Sequence, residues 1–347
     1  MKTNVSQNKK KCIVWDLDNT IWDGVLTENN KVKVKENVLA SIREFDRRGI
    51  LQSIASKNEH VPAFNKLKEL DIHDYFLYPQ INWNTKSSSI KSIKNSLNIG
   101  MDTIAFIDDQ EYELDEVKFN LPEVFCINSK NIDSLLTLPE FIPHFITEDS
   151  AKRRLMYQCD IKRNEAEDAY EGPTEEFLST LGMSVFIRPA RESDLKRAEE
   201  LTQRTHQLNT TGYTYSYNEL LYFMKLDNYI LLIAGLDDKY GTYGKIGLAL
   251  IECKPDKWII KLLLMSCRVM NRGIGTILIT YIMKMAREKR KPLYAEFIKT
   301  DVNRMMYISY KFNGFKEVGN DNGNILFQND LENIQNYPDY IKLNVNK

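Results

Sequence analysis

The sequence predicts an α/β protein of two domains, the first built on a Rossmann-like parallel sheet. Three observations predict it. From Lys11 to about Asn128, short apolar runs alternate with segments of helical spacing, the pattern of strands covered by helices on both faces. The runs end in acidic or hydroxyl residues, as expected where ligands sit at the carboxyl edge of such a sheet. At 347 residues the chain also exceeds one comfortable core, and its texture changes near Met183.

Taken in order, Cys12–Trp15 reads as a buried strand ending in Asp16-Leu17-Asp18-Asn19-Thr20. Val38, Ile42 and Phe45 recur at helical spacing, and Gly49 supplies the C-terminal stop. Ile50–Ala55 is a second strand ending at Ser56. A helix follows, with Pro62 in its first turn and Phe64, Leu67 and Leu70 on one face. Lys86 precedes a helix marked by Ile90, Ile93 and Leu97. Thr103–Ile107, closed by Asp108-Asp109, and Val124–Ile127 complete the strands. Residues 146–180 are charged and read as a helical linker between domains at 11–145 and 181–345. In the second domain Ser184–Arg188 is a strand and RESDL opens a helix running to about Thr205. Several strands follow, with turns at Asp237-Asp238 and Lys254-Pro255-Asp256. After Cys267 comes a helix carrying Ile274, Ile277, Leu278, Tyr281 and Met285, then a strand at Leu293–Ile298.

Composition narrows the function classes. A net charge of −1 with interspersed signs leaves no footprint for nucleic acid or an anionic membrane surface. The longest apolar runs are strand-sized, and the lysine-rich start has no following apolar core of a secretory signal. Five scattered cysteines without CxxC or Cys/His spacing argue against a disulfide framework or zinc site. These readings predict a cytoplasmic, reduced protein.

The acidic and basic positions at the strand ends form a toolkit for phosphoryl transfer. Asp16 would attack phosphorus, while Asp18 would protonate the leaving oxygen and then activate water. Ser56 and Lys86 would hold phosphate oxygens, with Thr20, Lys57 and Asn58 as further phosphate contacts. Asp16, Asp18, Asp108 and Asp109 offer the hard oxygen ligands that suit Mg²⁺. All four elements stand in the order of the haloacid dehalogenase (HAD) phosphatases, which the domain resembles. Only about forty residues separate Asp16 from Ser56, enough for one helix and one loop, which predicts a domain without a large cap.

The segment IRPARESDLKRAEEL, the strands after it, RGIG opening a helix and the NGF segment resemble the GNAT acyltransferase fold. In that fold the loop after the fourth strand binds pyrophosphate at a helix N-terminus. The loop Asn271-Arg272-Gly273-Ile274-Gly275 departs from the usual spacing, which argues against coenzyme A and leaves a carrier-borne pantetheine arm open. Cys267, ending LLLMSC, reads two ways from the residues alone. It is core packing in an apolar strand, or a nucleophile whose pKa is lowered by Arg268 and Arg272.

DLDNTIWDGVL, ASKN, INWNTK, LNIGMDTIAFIDDQEYE, LPEV, RTHQLNTTGYTYS and MSCRVMNRGIG together resemble the FkbH-like family, from Lys11 to about Phe315. That resemblance implies a bifunctional glyceryltransferase and phosphatase. Such an enzyme draws a glyceryl unit from 1,3-bisphosphoglycerate, removes phosphate and loads the unit as a thioester on the phosphopantetheine of an acyl carrier protein, for polyketide-type pathways. It also implies Cys267 as the acyl nucleophile. His206 stands where the family has asparagine, and Gly275 where an acidic residue is common. His206 is a candidate base or a capping residue. Gln207, Asn209 and Asn303 are candidate contacts to glycerate hydroxyls or the pantetheine arm. The alternative function is a HAD phosphatase fused to an N-acyltransferase that depends on acyl-coenzyme A or an acyl carrier. The basic runs Lys152-Arg153-Arg154 and Lys289-Arg290-Lys291 are candidates for docking an acidic carrier.

Overall fold

The computed structural model describes residues 9–28, 32–270 and 272–345. The chain divides into two compact units between Gln158 and Cys159. The expected linker is therefore shared between two units.

The first unit opens with β1 (Cys12–Trp15) and a short hairpin, β2 (Trp22–Asp23) and β3 (Lys33–Val34). It continues through α1 (Glu36–Arg47), β4 (Leu51–Ser56), α2 (His60–Glu69), β5 (Gln80–Ile81) and α3 (Lys86–Leu97). Then come β6 (Ile104–Asp108), α4 (Glu111–Asn120), β7 (Phe125–Asn128) and α5 (Ile132–Leu135). The sheet order is β5-β4-β1-β6-β7, and every pairing is parallel. β1 is therefore central and apolar on both faces, with all four residues fully buried. α1 covers the sheet with Val38, Ile42 and Phe45, each stabilising the unit by roughly 1.5–3 kcal/mol through burial. Gly49 ends that helix region at φ +70°, and a Cβ there would lie 2.4 Å from the Ser150 carbonyl oxygen.

The connection between Asp16 and Ser56 contains the β2–β3 hairpin as well as the expected helix, and no large cap. The hairpin exists because Trp22 is drawn wholly inside the unit by its apolar ring and its indole N–H.

α6 (Glu148–Ala151) is followed by α7 (Arg153–Asp168), which crosses the unit boundary. In the first unit, Arg153 Nη1 donates to the Gly49 carbonyl at 2.6 Å. Arg154 pairs with Asp46 at 2.9 Å over the Tyr75 ring. These guanidinium groups are committed to internal partners, which corrects the reading of Lys152-Arg153-Arg154 as a docking patch.

The second unit holds α8 (Thr174–Thr180), β8 (Met183–Pro189), α9 (Leu195–Arg204), α10 (Tyr217–Met224), β9 (Tyr229–Asp238) and β10 (Gly241–Cys253). It ends with β11 (Trp258–Met265), α11 (Ile274–Glu288), β12 (Leu293–Ile298), α12 (Arg304–Phe312), β13 (Lys316–Asp321), β14 (Asn324–Asn329) and β15 (Ile341–Val345). The eight strands form one mixed sheet in the order β13-β14-β12-β11-β10-β9-β8-β15. Apolar clusters cover both faces, one including Ile277, Leu278 and Ile282 of α11, the other Leu195, Ala198 and Leu201 of α9. Arg163 of α7 is fully buried here, forked onto Asp238 at 2.7 and 2.9 Å and lying 3.8 Å over the Tyr243 ring.

β11 and β12 run parallel but share register only at Trp258–Ile260 against Leu293–Ala295. Beyond that they diverge, and the Leu208–Thr210 segment runs between them. Met265 N donates to Leu208 O at 2.9 Å, Thr210 N to Leu263 O at 3.0 Å, and Ile298 N to Thr210 O at 2.9 Å.

The predicted fold class holds in both halves: an all-parallel α/β sheet without a large cap, then a second α/β domain. No helix of the described residues is long and apolar enough to cross a membrane.

Candidate functional sites

In the first unit the carboxyl ends of β1, β4 and β6 bring Asp16, Ser56 and Asp108 to one edge, since parallel pairing aligns them. Lys86 is the first residue of α3, whose start is held by its Thr85 cap and by Glu116, which accepts from the Ser87 amide at 3.1 Å. From there its ammonium reaches Asp16 Oδ1 at 2.5 Å, Asp108 Oδ2 at 3.0 Å and the Ala55 carbonyl at 2.9 Å.

Asp16, Asp108 and Asp109 each offer a carboxylate oxygen within 4.8 Å of the others. Asp109 Oδ1 is buried and accepts no hydrogen bond among the described residues. An orphaned anionic oxygen beside two more carboxylates is the donor set a hard divalent cation fills, so these residues fit Mg²⁺. Asp18 is not in this carboxylate cluster.

Burial pushes the Asp16 carboxyl up to about 7, with Asp108 adding to the rise and the Lys86 ammonium opposing it. Burial and then Asp108 raise Asp109 as well. For Lys86, burial disfavours the charge, but Asp16 and Asp108 outweigh it and hold the pKa above the usual lysine range.

Asp18 is held by three donors. Its Oδ1 accepts from Trp22 Nε1 at 2.7 Å and from the Leu26 amide at 3.1 Å, and its Oδ2 accepts from Asn58 Nδ2 at 2.8 Å. Asn58 is therefore a partner of Asp18, where the sequence suggested a phosphate contact. Lys57 likewise pairs with the buried Glu113 at 2.6 Å. Thr20 is wholly buried, and its hydroxyl has no hydrogen-bond partner among the described residues. Ser56 is buried at the end of β4. Trp22 and Glu113 were missed by sequence reasoning. The signal for Trp22 was present, an aromatic N–H donor four residues after Asp18.

In the second unit Cys267 is half-buried in the turn that follows β11, with Sγ 3.8 Å from Gln207 Oε1. His206 is exposed next to Gln207. Arg268 donates to the Tyr243 carbonyl at 2.7 Å, and the largely buried Arg272 pairs with Glu167 at 2.9 Å. Both guanidinium groups have these internal partners, which weakens their expected role beside the thiol. Asn209 and Asn303 are fully buried. Asn303 Nδ2 donates to the Asn209 and Ile298 carbonyls at 3.0 and 2.9 Å, so both residues are bound to backbone and not presented to a ligand. At Gly275 a Cβ would meet Met265 Cε at 2.7 Å, so the end of that methionine would have to shift to admit the acidic side chain the resemblance leads one to expect.

No protein-family model matches the chain, and no curated protein matches it. Among solved structures, it is similar to the N-terminal, phosphatase-domain part of protein BF1531 from Bacteroides fragilis, complexed with Mg. That match has 26% identity and a TM-score of 0.32 over 44% of this chain. It spans only 40% of the BF1531 chain. The chain is also similar to the Thermoplasma acidophilum PaiA N-acetyltransferase in complex with coenzyme A, at 18% identity and a TM-score of 0.35, over 42% of this chain and 98% of that one. A third similar structure is the Escherichia coli ribosomal-protein-S18-alanine N-acetyltransferase, at 15% identity and a TM-score of 0.34, over 42% and 92% of the two chains.

Proposed function

We propose that this chain is a bifunctional glyceryltransferase and phosphatase of the FkbH-like type. It takes a glyceryl unit from 1,3-bisphosphoglycerate, removes phosphate and loads the unit on the phosphopantetheine thiol of an acyl carrier protein. The observation that carries the phosphatase half is the cluster of Asp16, Asp108 and Asp109 around Lys86, with Asp18 held apart by Trp22 and Asn58.

One carboxylate oxygen of Asp16 forms the new bond to phosphorus as the ester oxygen departs. Asp18 gives that oxygen its proton. A water molecule, deprotonated by Asp18, then breaks the acyl-phosphate bond and frees Asp16. Lys86 offsets the charge of Asp16 and Asp108 between steps. Asp16, Asp108 and Asp109 would hold Mg²⁺, which when bound would supply Lewis-acid neutralisation of the phosphate charge. In the transferase half the Cys267 thiolate attacks the acyl phosphate carbon and expels phosphate, and the carrier thiol then takes the glyceryl group. Neither thioester step needs ATP, because the acyl phosphate is already activated. The partner is a phosphopantetheinylated carrier protein in the cytoplasm.

The alternative, an acyl-coenzyme A or acyl-carrier-dependent N-acyltransferase fused to a phosphatase, asks for a thioester donor between β11 and β12. The Asn271–Gly275 loop, whose spacing departs from the usual pyrophosphate-binding pattern, weighs against its coenzyme A form.

Intact-protein mass spectrometry tests the proposal. The chain, Mg²⁺, 1,3-bisphosphoglycerate generated in situ and the phosphopantetheinylated carrier are mixed and the carrier is weighed. A glyceryl mass on the carrier, absent when metal is chelated or the chain omitted, is expected. Released phosphate beside an unmodified carrier would leave a phosphatase with a different acyl substrate.

A further inference from the structure

Two parallel strands that part company present facing rows of backbone N–H and C=O groups. Such an opening is a ready receptor for an extended, amide-bearing arm that pairs with both edges. In the second unit the opening between β11 and β12 is occupied from within by a segment of the same chain. Next to Ile260–Ala295, the side chains of Lys261 and Glu296 form an ion pair across the gap. One step further, Thr210 spans it: its N–H donates to Leu263 O, its Oγ1 accepts from Leu263 N at 3.0 Å, and its carbonyl accepts from Ile298 N. At the open end Leu208 O takes the Met265 amide, and Asn209 bridges antiparallel to Leu264.

The inserted segment is itself fastened. Asn209 Oδ1 accepts from the Thr211 and Gly212 amides at 3.1 and 2.9 Å, turning the chain at its exit. Asn303, at the start of α12, clips the Asn209 carbonyl to that of Ile298 and receives the Thr300 amide at 2.9 Å. Asn209, Thr210 and Asn303 are wholly buried. Displacing the segment would leave several buried backbone groups without partners, which disfavours the open state.

We propose that Leu208–Thr210 is a permanent internal strand that closes the β11–β12 opening. No amide-bearing thioester arm lies between those strands, and acyl groups reach the half-buried Cys267 from its Gln207 side. The inference concerns which ligands the sheet admits. It rests on the functional reading above only for the role of Cys267, and carrier loading can fail without touching it.

The test uses the full chain and coenzyme A as the probe, because its arm carries two amides and ends in a thiol. Backbone hydrogen exchange is followed at Thr210, Leu263, Met265 and Ile298, with and without millimolar coenzyme A, alongside labelling of Cys267 by iodoacetamide held in large excess over the coenzyme A thiol. Protection comparable to Leu248 and Leu250 in β10, unchanged by coenzyme A, and labelling slowed less than about twofold are expected. In Asn303→Ala, exchange at Thr210 and Ile298 should quicken by roughly tenfold or more. Weak protection of those amides in the unmodified chain would overturn the proposal. So would coenzyme A that raises exchange across 208–210 while shielding Cys267. The wild-type arms decide the matter even if Asn303→Ala fails to fold.

Discussion

Asp18 shows how much of a reactive group's behaviour is set by residues other than itself. Two donors occupy its Oδ1 and one its Oδ2, so the carboxylate is fixed in orientation beside the Asp16–Lys86 pair. Replacing Asn58 by Ala frees Oδ2, and kcat/KM for Mg²⁺-dependent phosphate release should fall by roughly tenfold or more, since a positioned proton donor contributes about 10²–10⁴. Steady-state kinetics on a phosphorylated glycerate checks this, and an unchanged rate would remove Asn58 from the machinery. Lys86→Met should do more. It leaves the buried carboxylates of Asp16 and Asp108 facing each other, so activity should vanish and metal-free stability drop by roughly 3–5 kcal/mol in denaturant unfolding. The positions of Asp16, Ser56, Lys86 and Asp108 were legible because each ends a strand or opens a helix, where local pattern fixes the address. The partners of Lys57 and Asn58 were not, because Glu113 and Asp18 are brought to them by tertiary packing across dozens of residues.

At the scale of elements, single charged residues fasten whole segments. Arg163→Ala would strand Asp238, whose side chain is fully buried, and should destabilise the second unit by roughly 3–5 kcal/mol in urea unfolding. Asp194 ties the end of β8 to the start of α9. Burial works against its charge, but Arg188, the Arg191 amide and Lys245 outweigh it and hold its pKa down to about 2, against 3.8 unperturbed. A depressed carboxyl adds stability that is present above the unfolded value and lost as pH falls through the folded one. The gap in unfolding midpoint between the native chain and Asp194→Asn should therefore be full above about pH 4 and shrink toward pH 2. A gap independent of pH would contradict that role. Strands and helices of regular period were readable, and β1 and β12 have the boundaries the periodicity predicts. The β2–β3 hairpin, β15 and the strand-like path of Leu208–Thr210 were not. The partners of β15 and of Leu208–Thr210 are distant in sequence, and the two-residue strands of the hairpin are too short to establish a period.

At the scale of the whole molecule, the proposed function places two chemistries in one chain, each with its own residues. The domain order was readable from the change of texture after the first sheet. The division inside α7 was not, because a helix's period continues unbroken through a boundary set by side-chain partners: Arg154 with Asp46 in one unit, Arg163 with Asp238 in the other. In the proposed function Cys267 carries the acyl transfer and Asp16 the dephosphorylation. Both roles are read out together by the intact mass of the carrier, paired with phosphate release, for Cys267→Ser and Asp16→Asn beside the unaltered chain. With Cys267→Ser the carrier should stay unmodified while phosphatase activity toward a phosphorylated glycerate persists. With Asp16→Asn that phosphatase activity should be lost. A Cys267→Ser chain that loads the carrier as fast as the unaltered one would rule out Cys267 as the nucleophile.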